Sequence, residues 1–226
     1  MIRLAICLVL FATIFTSCGD TSNRAAINKN DSIAISEGDT AISNRYIYKN
    51  EQQYLKRKKL LTTRLALYDI EKATDDFELR LWLFPSMWDP STLYILKGRD
   101  STWTLFHYQY YTLRATGADS YYENPLVDSV IMESVQPQKQ SWKTYINNLQ
   151  LDSLWNLQTE SAIFDKEFRI LDGHRYVLEF NDKGKYKYLF YTTPEYFKNK
   201  DINHKKFTKF IKYLVDPIIY NGMRNP

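Results

Sequence analysis

RYVLEFNDKGKYKYLFY, residues 175–191, is the stretch that decides the fold. Two apolar-rich runs flank Asn181-Asp182-Lys183-Gly184, a cluster of turn formers that reads as an antiparallel hairpin. With Gly184 in the left-handed position the loop has three residues, and Asn181 is expected to pair with Lys185. That register sets Phe180 against Tyr186, Leu178 against Tyr188 and Tyr176 against Phe190 on one face. On the other face Glu179 meets Lys187 and Val177 meets Leu189. A slip of one residue is expected to bury lysines and expose aromatics, so turn chemistry and face chemistry agree.

Strand patterning continues upstream. Phe77, Leu79, Leu81 and Leu83 alternate with Glu78, Arg80 and Trp82, which predicts a half-buried strand. Thr92 to Lys97 and Thr102 to Leu113 follow, joined through Gly98-Arg99-Asp100 as a second hairpin, and Leu126 to Val135 adds another strand. The period then changes. Trp142, Tyr145, Ile146 and Leu149 recur at helical spacing behind Ser141, a cap residue. Thr193-Pro194-Glu195 reads as an N-cap, a proline at the first helical position and an acid in the first turn of a helix ending near Asn199.

A last helix from about His204 carries Phe207, Phe210, Ile211, Leu214 and Ile218 on one stripe, with Asp216-Pro217 to kink or end it. Asn50 to Lys59 also reads as a helix, whose Lys56-Arg57-Lys58-Lys59 run is expected to be a solvated face; Leu60 to Ile70 fits helix or strand. Strands interrupted by helices without βαβ regularity predict an α+β domain, an antiparallel sheet with helices packed on one face. No internal repeat is present.

The chain opens differently. Arg3 precedes an apolar run from Leu4 to Thr16, then small Ser17, Cys18 and the polar Gly19-Asp20-Thr21-Ser22. Thirteen residues rise only about 20 Å as a helix, short of a hydrocarbon core of roughly 30 Å. Phe15-Thr16-Ser17-Cys18 and the run before it resemble the signal of bacterial lipoprotein precursors. The resemblance implies cleavage after residue 17 and diacylglycerol on Cys18, and two or three acyl chains hold firmly in a bilayer. Gly19 is not the aspartate that marks inner-membrane retention in some species, which implies outer-membrane placement.

Cleavage there leaves 209 residues, enough for one well-buried domain and a tether. The organisation expected is a signal peptide over 1–17, a lipidated cysteine and flexible tether over 18–44, and a single domain over 45–226. Residues 19 to about 44 are rich in Asn, Ser, Thr, Asp and Ala and lack aromatics, so they bury too little apolar area to offset chain entropy. Asp31-Ser32-Ile33 and Asp39-Thr40-Ala41 resemble an Asp-Ser/Thr-aliphatic acceptor of envelope O-glycosylation, and Asp128-Ser129-Val130 and Asp152-Ser153-Leu154 match the same triplet inside the domain.

Cys7 falls in the signal, so the remaining chain keeps only Cys18; a structural disulfide and a multi-cysteine zinc site are excluded. Net charge falls from +4 to +3 when Arg3 is lost, with ten Lys and Arg against four Asp and Glu from Asn181 to Pro226. On an exported lipoprotein such a basic end faces water, anionic lipid or glycan, and nucleic acid is not an expected partner. None of the seven glycines forms Gly-x-Gly-x-x-Gly or a P-loop, so nucleotide chemistry has no support and no cofactor is expected.

His107, His174 and His204 lack metal-ligand spacing, and His107 suits a strand hydrogen bond. Asp172-Gly173-His174 reads as a turn, although Asp172 and His174 could act together on a substrate. Asp75, Asp76, Glu160, Asp165 and Glu167 carry no flag over caps and loop residues, and no Gly-x-Ser-x-Gly or Ser-x-x-Lys motif occurs. No catalytic or metal residue is therefore assigned; Cys18 is the one residue given a chemical role.

Aromatics are the better lead. Trp82, Trp88, Tyr94, Trp103, Tyr108, Tyr110, Tyr121 and Tyr122 lie in or near the sheet, among 18 tyrosines and five tryptophans, and Trp88 stands in the loop Pro85-Ser86-Met87-Trp88-Asp89-Pro90. The expected function is a lipid-anchored envelope protein, non-catalytic, whose domain binds or braces another component, with an envelope protein or a glycan as the expected partner. The alternative is a glycan- or peptide-binding module using exposed Tyr and Trp, and a small hydrolase is the third reading.

Overall fold

The structure, a computed structural model, describes residues 38–85, 90–113, 123–164, 173–216 and 218–219. The helix α1 (Gly38–Arg64) leads into a 3-10 turn at Ile70–Lys72 and a meander of β1 (Phe77–Phe84), β2 (Ser91–Arg99), β3 (Thr102–Thr112) and β4 (Val127–Pro137). Next come α2 (Trp142–Leu149), a 3-10 turn at Leu151–Asn156, and α3 (Glu160–Ile163). The hairpin β5 (Arg175–Asp182) and β6 (Lys185–Thr192), short α4 (Pro194–Phe197), α5 (Ile202–Val215) and the two-residue β7 (Ile218–Ile219) complete the order. The sheet runs β6-β5-β1-β2-β3-β4-β7 with every neighbouring pair antiparallel, so the chain is the α+β domain its patterning predicts.

The helices cover both faces of that sheet, not one. Phe207, Phe210 and Leu214 of α5, Tyr145 and Leu149 of α2, and Leu154 pack on Leu79, Leu81, Leu96, Leu105, Leu178, Phe180, Leu189 and Tyr191. Against the other face Tyr54 and Leu61 of α1 meet Trp82, Phe84, Leu93, Ile95, Tyr110, Val177 and Phe190. The expectation of one covered face took Glu78 and Arg80 as wet positions of β1. Both are buried, because each charge finds its partner inside: Arg80 Nε donates to Glu78 Oε1 at 2.7 Å.

The 175–191 hairpin also differs from its expected register. Lys183 (φ 50°) and Gly184 (φ 84°) both lie in the left-handed region, giving a two-residue loop that closes Asp182 on Lys185. Phe180 therefore opposes Lys187, Leu178 opposes Leu189 and Tyr176 opposes Tyr191, one residue away from the predicted pairing. Asn181 locks this turn. Its Oδ1 accepts from the Gly184 N–H at 2.8 Å while its Nδ2 donates to the Ile70 carbonyl at 2.9 Å. The slip is tolerated because both faces are roofed. Lys187 drives its amine into the carbonyls of Trp155 and Leu157, at 2.6 and 2.7 Å, and Tyr186 donates to Glu179 on the α1 side.

Element ends are chemically explicit. α1 starts at Gly38, within the segment expected to be tether, and runs past Lys59 to Arg64. Once Tyr54 and Leu61 are packed, adding turns in the N-terminal direction costs little, since propagation fixes one residue per hydrogen bond. It stops in a Schellman motif: Ala66 has φ 54°, its N–H reaches the Thr63 carbonyl, and the Leu67 N–H reaches that of Thr62. Asp100 and Ser101, both left-handed, turn β2 into β3 one residue later than Gly98-Arg99-Asp100 suggested.

The Ser141 cap is observed, its Oγ accepting the Thr144 N–H at 3.2 Å. α5 begins at Ile202 under a cap from Asp201, which accepts the His204 N–H at 2.9 Å. Thr193, expected to cap α4, makes no side-chain cap bond; its N–H binds the His174 carbonyl at 2.8 Å.

Candidate functional site

A sheet of this kind has two edges, and they are built in opposite ways. The C-terminal half of the outer edge of β6 is capped by side chains around the start of α3. Thr159 Oγ1 accepts the Phe190 N–H at 3.0 Å and Glu160 Oε2 accepts the Thr192 N–H at 2.9 Å. Those are two backbone donors that an incoming strand would need, already taken.

β4 carries no such seal among the described residues. It pairs inward with β3 from Val127 to Val135, while β7 meets it only at Gln136 and Pro137. From Asp128 to Ser134 no described strand lies on its outer side. Its centre is apolar and wet: Val130, Ile131 and Met132 are 43%, 50% and 57% exposed. Alternation puts Val130 and Met132 beside Tyr110 and Tyr108 on one face and Ile131 beside Gln109 on the other. No lysine, arginine or proline interrupts residues 127–136, which are the usual devices that keep an edge from pairing.

A second feature opens at the turn end of the sheet, where the β2–β3 and β5–β6 hairpins approach α2. A cleft of about 410 Å³ lies there between Trp103 and Trp155, with Asp76, Asp152, Asp182 and Lys183 on its walls. Trp103 rests across Gly98, its cross-strand partner, and packs on Phe77 with ring centroids 5.8 Å apart. Trp155 stands edge-on to Phe180 at 4.8 Å.

The buried polar groups elsewhere brace the fold. Under α1, Glu179 accepts from Trp82 Nε1 at 3.0 Å and pairs with Lys58 Nζ at 2.5 Å. Beside it, Glu78 binds Arg80 and the Tyr68 hydroxyl, and Lys97 and Arg99 converge on Asp75 at 3.6 and 2.9 Å. The basic run of α1, expected on a solvated face, thus turns two members inward: Arg57 is buried and Lys58 is in the Glu179 pair. Burial pushes the Glu51 carboxyl above the ordinary carboxylate range, opposed by hydrogen bonds from Ser161, Thr159 and Tyr188.

His204 is fully buried among the rings of Phe164, Tyr191 and Phe197. Its Nδ1 is 2.8 Å from Asp201 Oδ1 and its Nε2 is 3.6 Å from Glu160 Oε1. An imidazole so enclosed meets no substrate in this conformation, and it joins α5 to α3.

The residues singled out in sequence scatter. His107 is buried in β3 and stacks on Tyr94 at 5.0 Å; burial lowers its pKa from the usual histidine value, against the opposing pull of Glu133. His174 is exposed, and its carbonyl anchors Thr193. Asp76 lines the cleft and Glu160 seals β6. Trp82, Tyr94 and Tyr110 are core, Tyr108 is half-buried, and Trp103 alone among the described members of that aromatic set lines the cleft.

Cys18, Ser32, Trp88, Tyr121, Tyr122, Asp165, Glu167 and Asp172 lie outside the described residues, and of Thr40 only its place in α1 is described. Sequence reading missed Trp155 and the outer side of β4, where no described strand lies beside Asp128 to Ser134. An aromatic two residues after Asp152-Ser153, on a short turn, was the signal for the first. Among the described residues no group of three or more His, Cys, Asp or Glu could hold a metal ion, and no helix is long and apolar enough to cross a membrane. No protein-family model, curated protein or solved structure matches the chain.

Proposed function

We propose that this is a lipid-anchored component of the bacterial envelope, non-catalytic, that joins another envelope protein by accepting one of its strands along β4. The observation that carries the reading is the contrast between the two edges. Thr159 and Glu160 occupy two outward N–H groups of β6, those of Phe190 and Thr192, whereas β4 offers seven residues, Asp128 to Ser134, with no described strand beside them. Main-chain hydrogen bonds would supply affinity, and Val130, Met132 and Ile131 would select side chains of the added strand. The order Arg3, Leu4–Thr16, Ser17, Cys18 supports the anchor, which would hold that edge near the membrane surface.

A photo-crosslinking residue placed at Ile131 in the native host, followed by mass spectrometry, tests the strand-addition reading. The expected result is a discrete protein adduct from Ile131 that disappears when Val130→Pro removes a backbone donor from the outer side of β4. The same probe at Lys185, on the hairpin across the sheet, should give none. Absence of an adduct at Ile131, or equal adducts at both positions, overturns it.

A further inference from the structure

We infer that the cleft between Trp103 and Trp155 is a binding site for a neutral, hydroxyl-rich oligosaccharide, independent of whatever β4 engages. The inference begins with pre-organisation. A Cβ built on Gly98 would come 2.8 Å from Trp103 Cη2 and Cζ3, so only glycine lets that indole lie down on the β2 backbone. Phe77 supports it from the side. Trp155 sits on the 3-10 turn Leu151–Asn156, and Lys187 clamps that segment by donating to the carbonyls of residues 155 and 157. Burial lowers the Lys187 pKa, the cost of holding an ammonium against main-chain oxygens at that depth. Both indoles are therefore held in place by the fold itself, and little ordering entropy remains for a ligand to supply.

The walls select the chemistry. Two half-buried indoles line the cleft, and indole π-faces are the usual platform for the C–H faces of a pyranose ring. Asp76, Asp152 and Asp182 offer acceptors, and the exposed amides of Asn147 and Gln150 offer both donors and acceptors. An apolar ligand would strip water from three carboxylates and return no hydrogen bonds. Three aspartates against the single Lys183 also disfavour uronic acids and phosphorylated sugars. A neutral sugar satisfies the rings and the carboxylates together. The volume, about 410 Å³, lies within the range of pockets that enclose a small ligand, which suits a short oligosaccharide better than a single ring.

The test is titration of the full lipidated chain in detergent micelles, read by tryptophan emission and calorimetry, with cellohexaose, laminarihexaose, chitohexaose, maltohexaose and mannohexaose as probes. Hexagalacturonate and pentalysine serve as the anionic and cationic controls. The expected result is saturable binding of at least one neutral hexamer with a change in tryptophan emission, and no binding of either control.

Trp155→Ala should weaken that binding about tenfold or more, as loss of an aromatic anchor does. Gly98→Ala, which must displace the Trp103 ring, should weaken it without abolishing the fold. Asp152→Asn, an exposed change, keeps the test open if either of those variants unfolds, and it too should weaken binding. Failure of all five neutral probes overturns the inference. So does binding that is unchanged in the folded variants, or binding of pentalysine alone.

Discussion

Lys58 of α1 reaches across the helix–sheet interface to place its ammonium 2.5 Å from Glu179 Oε2, a carboxylate that is completely buried in β5. Trp82 Nε1 and the Tyr186 hydroxyl complete the carboxylate's partners, so one buried charge ties α1, β1, β5 and β6 together. Removing the cation alone leaves that charge in a low-dielectric interior. A fully buried pair loses about 3–5 kcal/mol in that way. Lys58 keeps a little solvent contact, so Lys58→Met should cost about 2–3 kcal/mol in urea denaturation. An unchanged midpoint would mean that the two hydrogen bonds suffice.

The hairpin register rests on Gly184. Its φ of 84° lies in the left-handed region, and a Cβ there would meet no atom within 4 Å. Gly184→Ala therefore isolates backbone strain from crowding and should destabilise by about 1–2 kcal/mol. If stability is unchanged, the turn has another conformation in solution.

That same turn shows where sequence reading stops. The strands were legible because Phe77, Leu79, Leu81 and Leu83 alternate, and α5 because Phe207, Phe210 and Leu214 repeat at helical spacing. The register was not, because Leu189 and Phe190 are adjacent apolar residues and either can face inward once helices cover both sides. Glu78 and Arg80 hid β1's second buried face, since their pairing is settled by Tyr68 and Lys97 from other elements. The candidate sites were still less visible. Trp103 stands out as an aromatic, but its posture depends on Gly98 across the strand, and Trp155 depends on Lys187. Which described strands lie beside β4 is settled by topology, and composition carries no trace of it.

Phe210 lies in the core beneath the sheet, with its ring 6.5 Å from that of Phe207. Phe210→Ala should cost about 3–5 kcal/mol, the usual loss for a buried phenylalanine. A melting midpoint equal to the parent's would show that the stripe on α5 faces water.

Two buried phenols give the fold an alkaline limit. Burial first, then the Glu195 charge that its hydroxyl donates to at 3.0 Å, pushes the Tyr176 pKa far above the ordinary tyrosine value. Burial, with Asp201 and Glu160 nearby, does the same to Tyr191, whose hydroxyl donates to the Gln158 carbonyl at 2.5 Å. In the unfolded chain both ionise near pH 10. Below that pH both states hold the protons and the phenols impose no slope. Above it the unfolded state loses protons that the fold retains, so stability falls by up to about 1.4 kcal/mol per pH unit per phenol. Urea midpoints at rising alkaline pH should decline, and Tyr176→Phe should flatten the decline; a decline of equal steepness in the variant would remove Tyr176 from the account.

The proposed anchor and the packed domain are separable, which makes the anchor open to a clean test. Among the residues whose burial is described, the first buried ones are Glu51 and Tyr54, more than thirty residues beyond Cys18. Cys18→Ser should therefore leave the thermal midpoint where it is while abolishing palmitate incorporation and shifting the protein from the membrane pellet to the soluble fraction. Two or three acyl chains account for firm membrane retention without help from the domain, because each buried methylene contributes about 0.8 kcal/mol. If the serine variant stays in the pellet, something other than lipid on Cys18 holds the protein there. The outer side of β4, gripping a membrane-resident partner, would then be the first place to look, and pairing Cys18→Ser with Val130→Pro would separate the two attachments.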